Sequence, residues 1–153
     1  MLIWYAEAGF DAAFITHIGE MRLALEPEAA ALAALRRTPT QLRGLYDWVE
    51  RMGVPNATPR EFVDADLNFH FSVAAAAANP FLTSISTLIE VALVTALTRS
   101  SPVNEPGGTQ ASVADHRAIA DAIARQEPDA ARAAMRVVIE EGISRAAGRR
   151  PPQ

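Results

Sequence analysis

Apolar residues recur three and four positions apart along most of the chain, and no stretch of useful length alternates in the manner of a strand. With alanine and leucine abundant and β-branched residues few, the pattern predicts an all-α protein. A short helix over about residues 2–8 leads into a longer one from Asp11, a candidate N-cap, through Phe14, Ile18, Met21 and Leu25. Pro27 is expected to kink or restart that helix before it ends near Arg37. Two further starts share one signature, Thr38 then Pro39 and Thr58 then Pro59: a threonine cap, then a proline whose missing N–H is not needed in the first turn. Gly53 and Pro55 end the first of these helices. The second runs to about Ala78, where Asn79 reads as a left-handed cap and Pro80 as a stop. Residues 81–98 are apolar almost all round, the pattern of a central buried spine. "SSPVNEPGG", residues 100–108, reads as a loop able to move as a lid or to be disordered, and helices over about 110–125 and 129–147 follow.

Composition narrows the function classes. The 153 residues fit one domain, assigned to residues 1–148, with 149–153 as a tail. Cysteine is absent, which excludes disulfides and thiolate chemistry and leaves nitrogen and oxygen as the available metal ligands. The longest apolar run, Ala29 to Leu35, is far below the roughly 20 residues a membrane span needs, and no basic leader precedes an apolar segment. The chain reads as soluble and cytoplasmic, with no membrane partner. A net charge of −4 and a pI near 5.3, without a basic stripe, argue against a nucleic-acid surface here, so any control of DNA would need another domain.

The candidate chemistry lies in "DADLNFHF". Asp66 and His70 are four apart, so on a helix both reach one point in space, and Phe62, Val63, Phe69 and Val73 place that face near the core. A carboxylate there is unfavourable unless paired, protonated or bound to a cation. His116 has the same setting, with Val113, Ile119, Ala120 and Ile123 marking its face as buried. Two imidazoles and a carboxylate form a nitrogen and oxygen metal set with positions left open for water or a ligand. The plainer alternative is a satisfied polar cluster, each histidine bonded to a carbonyl and Asp66–His70 an ordinary helix contact. His17 has no such surroundings and reads as structural or exposed.

"GEMRLALEPEAAALAALRR", "DADLNFHFSVAAAAANPFL" and "DHRAIADAIARQEPDAARAAMRVV", taken in order, resemble the FadR-type C-terminal domain of GntR-superfamily transcription regulators. The resemblance covers nearly the whole chain. Its most characteristic pieces are Arg22 to Pro27, Asp66 to His70, Asn79-Pro80, and His116 ahead of Ala122-Ile123. Within the family the chain looks most like repressors of sugar-acid catabolism, the galactonate-operon repressor group. The resemblance implies an antiparallel bundle of six to seven helices around a central ligand cavity, a homodimer, and a small carboxylate effector, here a sugar acid, at or beside a divalent metal. Zinc is the first expectation, with nickel and manganese as alternatives. DNA contact would fall to an N-terminal winged-helix domain absent from this chain. Carried onto these residues, the resemblance implies Asp66, His70 and His116 as metal ligands. A fourth family ligand, a histidine, falls at about Val138, which puts a lower metal affinity in view. Arg22 and Arg99 are the candidate clamps for an effector carboxylate. Against that, Arg22 can instead pair with Glu26, and Arg99 can cap a helix end.

Three readings follow. The first is an effector-sensing and dimerisation domain, which involves no turnover. The second is a metal-dependent enzyme with a two-histidine, one-carboxylate site, weakened because no further acid or base stands out. The third is a helical interaction module without metal.

Overall fold

A computed structural model describes residues 12–99 and 101–146, apart from a few side chains near residue 12 and over 90–99. Its helices are α1 (Ala12–Arg36), α2 (Pro39–Met52), α3 (Pro59–Ala76), α4 (Pro80–Arg99), α5 (Gly108–Ala124) and α6 (Pro128–Ala146), with a 3-10 turn at Pro102–Asn104. No strand occurs among the described residues. The expected helix over 2–8, the Asp11 cap and the tail all lie outside them.

Both threonine–proline starts form complete capping boxes. Thr38 Oγ1 accepts from the Gln41 backbone N–H while the Gln41 side chain accepts from the Thr38 N–H, and Thr58 and Glu61 repeat the exchange. Each cap is worth about 1 kcal/mol. Pro27 does not restart the helix, because α1 runs unbroken through it for 25 residues. Proline inside a helix costs about 3 kcal/mol. Burial offsets that cost here: Ala29, Ala30, Ala33 and Ala34 are all in the core, and α1 packs against α3, α4, α5 and α6. Close approach needs small side chains elsewhere on α1 too. A Cβ on Gly19 would fall 2.5 Å from Ile143 Cδ1 of α6.

The spine is therefore α1, not the helix after Pro80. On α4, Phe81 is 80% exposed and Leu88 53%, with Ile85 and Val94 also at the surface, whereas Ser86 and Ile89 point inward. An all-round apolar sequence does not by itself place a helix at the centre, since α1 with its alanine face fills that position first. The break between α3 and α4 also differs from expectation. The left-handed residue is Ala78 (φ 52°), and Asn79 instead caps α4, its Oδ1 accepting from the Phe81 N–H at 3.1 Å. In the described part of the 100–108 stretch, Ser101 caps the 3-10 turn and Pro102 is buried, so this segment packs against α3 and α5 rather than hanging free.

Two adjacent arginines at the end of α1 tie this frame together. Arg36 Nη1 donates to the Ala77 carbonyl just past α3, and Arg37 Nη2 to the Ala124 carbonyl at the end of α5, each at 3.0 Å. Carbonyls at helix C-termini lack partners within the helix, and cations suit that end of the dipole. The two helices thus pinned are the ones that carry Asp66, His70 and His116.

Candidate metal and effector site

Asp66 and His70 project from the inner face of α3, and His116 meets them from α5. Their side-chain ligand atoms all lie within 4.8 Å of one another. Both imidazole Nε2 atoms face Asp66 Oδ1, that of His116 at 2.8 Å and that of His70 at 3.8 Å. Phe69, fully buried, stands edge-on to both rings with centroids 5.9 and 5.1 Å away. It closes an apolar wall beside the polar cluster, where every charge is poorly screened.

Hydrogen bonding tests whether these residues suit a cation. His116 Nδ1 lies 2.7 Å from the Ser112 carbonyl oxygen, which can only accept. Nδ1 therefore carries a proton, and in the neutral ring Nε2 presents a bare lone pair. That lone pair meets an Asp66 oxygen, another acceptor, at 2.8 Å, and His116 Nε2 completes no directed hydrogen bond. Two acceptors this close need a positive charge between or beside them, whether a proton on the ring or a metal ion. A backbone carbonyl fixing the far nitrogen is the usual support of a metal-ligating histidine. The donor set is one that zinc, nickel and manganese all accept. The residues present fit a divalent metal.

Sequence reasoning placed Arg22 as either an effector clamp or a helix-surface pair with Glu26. The pair exists, but in the core: Arg22 is 6% and Glu26 5% exposed. Arg22 Nε donates to Glu26 Oε1 at 2.5 Å and Nη2 to Oε2 at 3.2 Å. Arg22 Nη2 also lies 3.3 Å from His70 Nε2, and Glu26 Oε2 lies 2.7 Å from His70 Nδ1. Glu26 was missed as part of the site. Its signal was its place before an intrahelical proline on a stretch of buried alanines, where an exposed ion pair was improbable. Arg99 ends α4, but its side chain is not among those described. Val138 is buried on α6 as part of the hydrophobic core and brings no ligand. His17 is exposed.

Burial alone would raise the pKa of Glu26, yet Arg22 and His70 outweigh it and hold the carboxyl at about 2. Asp66 follows the same logic: desolvation pushes it up, while His116 first, then His70 and Arg22, bring it well below the usual carboxylate range. Both acids are ionised at neutral pH, as metal ligation or cation pairing requires.

The fold and site together define an all-α bundle with a two-histidine, one-carboxylate polar centre in its core. Residues 17–141 match the model of the FCD domain family, and the chain belongs to that family. Among curated proteins it is 28% identical over 145 residues to the galactonate operon transcriptional repressor of Escherichia coli, covering 95% of this chain and 63% of that protein. It is 32% identical over 130 residues to the uncharacterized HTH-type transcriptional regulator YieP of the same organism, covering 84% of this chain and 54% of that one. The structure of Streptococcus agalactiae GntR aligns with TM-score 0.70 at 29% identity, over 82% of this chain and 56% of that one. E. coli McbR/YncC aligns with TM-score 0.76 at 16% identity over 89% and 65%, a likeness of fold. The chain thus spans a little over half the length of the relatives it matches. These relatives are transcriptional regulators rather than enzymes. No described helix is long and apolar enough to cross a membrane.

Proposed function

We propose that this chain is the ligand-sensing and dimerisation domain of a bacterial, cytoplasmic transcriptional regulator that binds a small carboxylate, a sugar acid, at or beside a divalent metal. The observation that carries the reading is the convergence of Asp66 Oδ1 with the Nε2 atoms of His70 and His116 in the core, with His116 Nδ1 occupied by a carbonyl. Asp66, His70 and His116 would hold the metal. When bound, the metal supplies a Lewis-acidic centre with coordination positions open to carboxylate and hydroxyl oxygens.

The protein's own residues supply the rest. Glu26 and Asp66 provide the negative charge that compensates a cation, and Phe69 keeps one side of the centre dry. Arg22 and Arg99 are the groups assigned to an incoming carboxylate, and the sugar-acid assignment draws on the galactonate operon repressor among the relatives. An effector acts by favouring one arrangement of α1, α3 and α5 over another, since a ligand shifts only an equilibrium whose states it binds unequally. DNA contact would belong to a winged-helix domain, brought into pairs by a homodimer.

Elemental analysis of the purified protein together with thermal shifts against a panel of sugar acids tests the reading. About one metal per chain and a rise in melting temperature with one acid are expected; ligand at about 100 times its Kd adds about 2.7 kcal/mol. A metal-free protein whose ligand response survives alanine at Asp66, His70 and His116 would leave the cluster a structural one.

A further inference from the structure

His70 can ligate a cation only through a nitrogen whose lone pair is free, and in this structure its Nε2 is engaged. Arg22 Nη2 lies 3.3 Å away. A guanidinium has only donors and stays charged, so Nε2 is the acceptor and its single in-plane lone pair is turned to the arginine. A neutral ring accepting at Nε2 carries its proton on Nδ1, the atom that lies 2.7 Å from Glu26 Oε2. Glu26 in turn holds both Nε and Nη2 of Arg22. Arg22, Glu26 and His70 close a ring of contacts in the core.

We propose that Arg22 is a latch on His70 Nε2, which the guanidinium must release before His70 can take a divalent cation. The inference rests on the metal reading above. One lone pair serves one partner, an arginine N–H or a cation. Charge adds to the exclusion, because guanidinium and cation repel across a few ångströms of poorly screened interior. Glu26 makes the release possible. It keeps hold of Arg22 through Nε when Nη2 withdraws, and its charge 2.7 Å from Nδ1, though in no directed hydrogen bond with it, favours the His70 proton there and leaves Nε2 as the ligand nitrogen. The halves of one ion pair therefore act in opposite directions, Arg22 against loading and Glu26 for it. Because Arg22 stands on α1, loading the centre changes what the spine of the bundle touches.

Zinc and cobalt titrations of the full chain separate this from a scaffold role. Arg22→Met, which keeps the apolar stem, is expected to raise metal affinity by about tenfold or more, and Glu26→Gln to lower it by about 10- to 100-fold. If the pair only braces the site, both substitutions lower affinity, and that result overturns the latch. Should Arg22→Met not fold, nitrogen-15 spectra of the wild type during zinc addition decide: the Arg22 Nη and His70 Nε2 resonances must shift together, and an unmoved Arg22 signal overturns the proposal. Binding by Arg22→Met but not by the wild type would support it. Zinc bound by neither protein sinks the metal reading and the latch with it, whereas zinc bound by the wild type with unchanged or weaker affinity in Arg22→Met sinks the latch alone.

Discussion

Glu26 and Glu28 sit two residues apart on α1, and each is gripped by an arginine through two contacts. Glu26 meets Arg22 at 2.5 and 3.2 Å; Glu28 meets Arg132 of α6 at 2.6 and 3.0 Å. Two positions along a helix point to different sides, so the first pair lies in the core and the second in solvent, where the Glu28 side chain is 56% exposed. Their bond lengths hardly differ. What differs is the alternative each group has when its partner is lost: water waits beside Glu28, whereas the described polar partner left to buried Glu26 is His70. Contact geometry alone therefore says little about energy, and burial decides which pair the fold depends on.

The strongest break of that comparison is Arg22→Ala. Removing one partner of a buried pair leaves an uncompensated charge and costs about 3–5 kcal/mol. Denaturant unfolding of the metal-free protein should show this as a large fall in midpoint, partly recovered in Arg22→Ala/Glu26→Gln, where no buried charge is stranded. An equal loss in the single and double variants would mean that packing of the Arg22 stem, not charge, sets the cost.

Acid sharpens the comparison next. The folded-state pKa of Glu26 is depressed from 4.5 to about 2. A carboxyl that holds its proton less tightly when folded adds stability that is fully present above about pH 4.5 and drains away as the pH falls towards about 2. The contribution is on the order of 3 kcal/mol. Asp66 titrates in the same sense, facing His116, His70 and Arg22. Glu28 is also depressed, by its hydrogen bond to Arg132, but its exposure leaves it little to lose. Wild type and Glu26→Gln compared between about pH 5 and about pH 3 should converge as acid is added, because the variant has no Glu26 proton to take up. Parallel curves would show that Glu26 is not the group that responds.

How much of this was legible in the sequence follows from which signals are local. Thr38-Pro39 and Thr58-Pro59 announced their helices because a cap is satisfied within four residues. Asp66 with His70 was legible for the same reason, and His116 because its apolar neighbours at helical spacing marked a buried face. Two readings failed where the deciding partner was distant: α1 does not restart at Pro27, where four other helices pack against it, and α4 yields the centre to α1. A third failed locally, since Ala78 rather than Asn79 takes the left-handed turn while the asparagine caps α4 two residues on. Glu26 was the costliest miss. Its spacing from Arg22 was visible, but only His70, 44 positions on, turns a helix-surface pair into part of the core centre.

The smallest effect is expected where the geometry looks best. Arg132 carries two bonds to Glu28 and one to Asp129, an arrangement that raises its own pKa and would pass for a strong anchor between α1 and α6. Asp129 is 98% exposed, though, so water replaces the guanidinium at almost no penalty. Arg132→Ala should cost the least stability of these changes, a loss that shrinks further in added salt, since dissolved ions screen an exposed pair. Metal affinity should not change, because α1 and α6 are already held by apolar packing such as that of Ile143 over Gly19. If Arg132→Ala instead weakened metal binding as Glu26→Gln does, the surface pair would be setting the position of α1, and burial would no longer separate the two ion pairs of this helix.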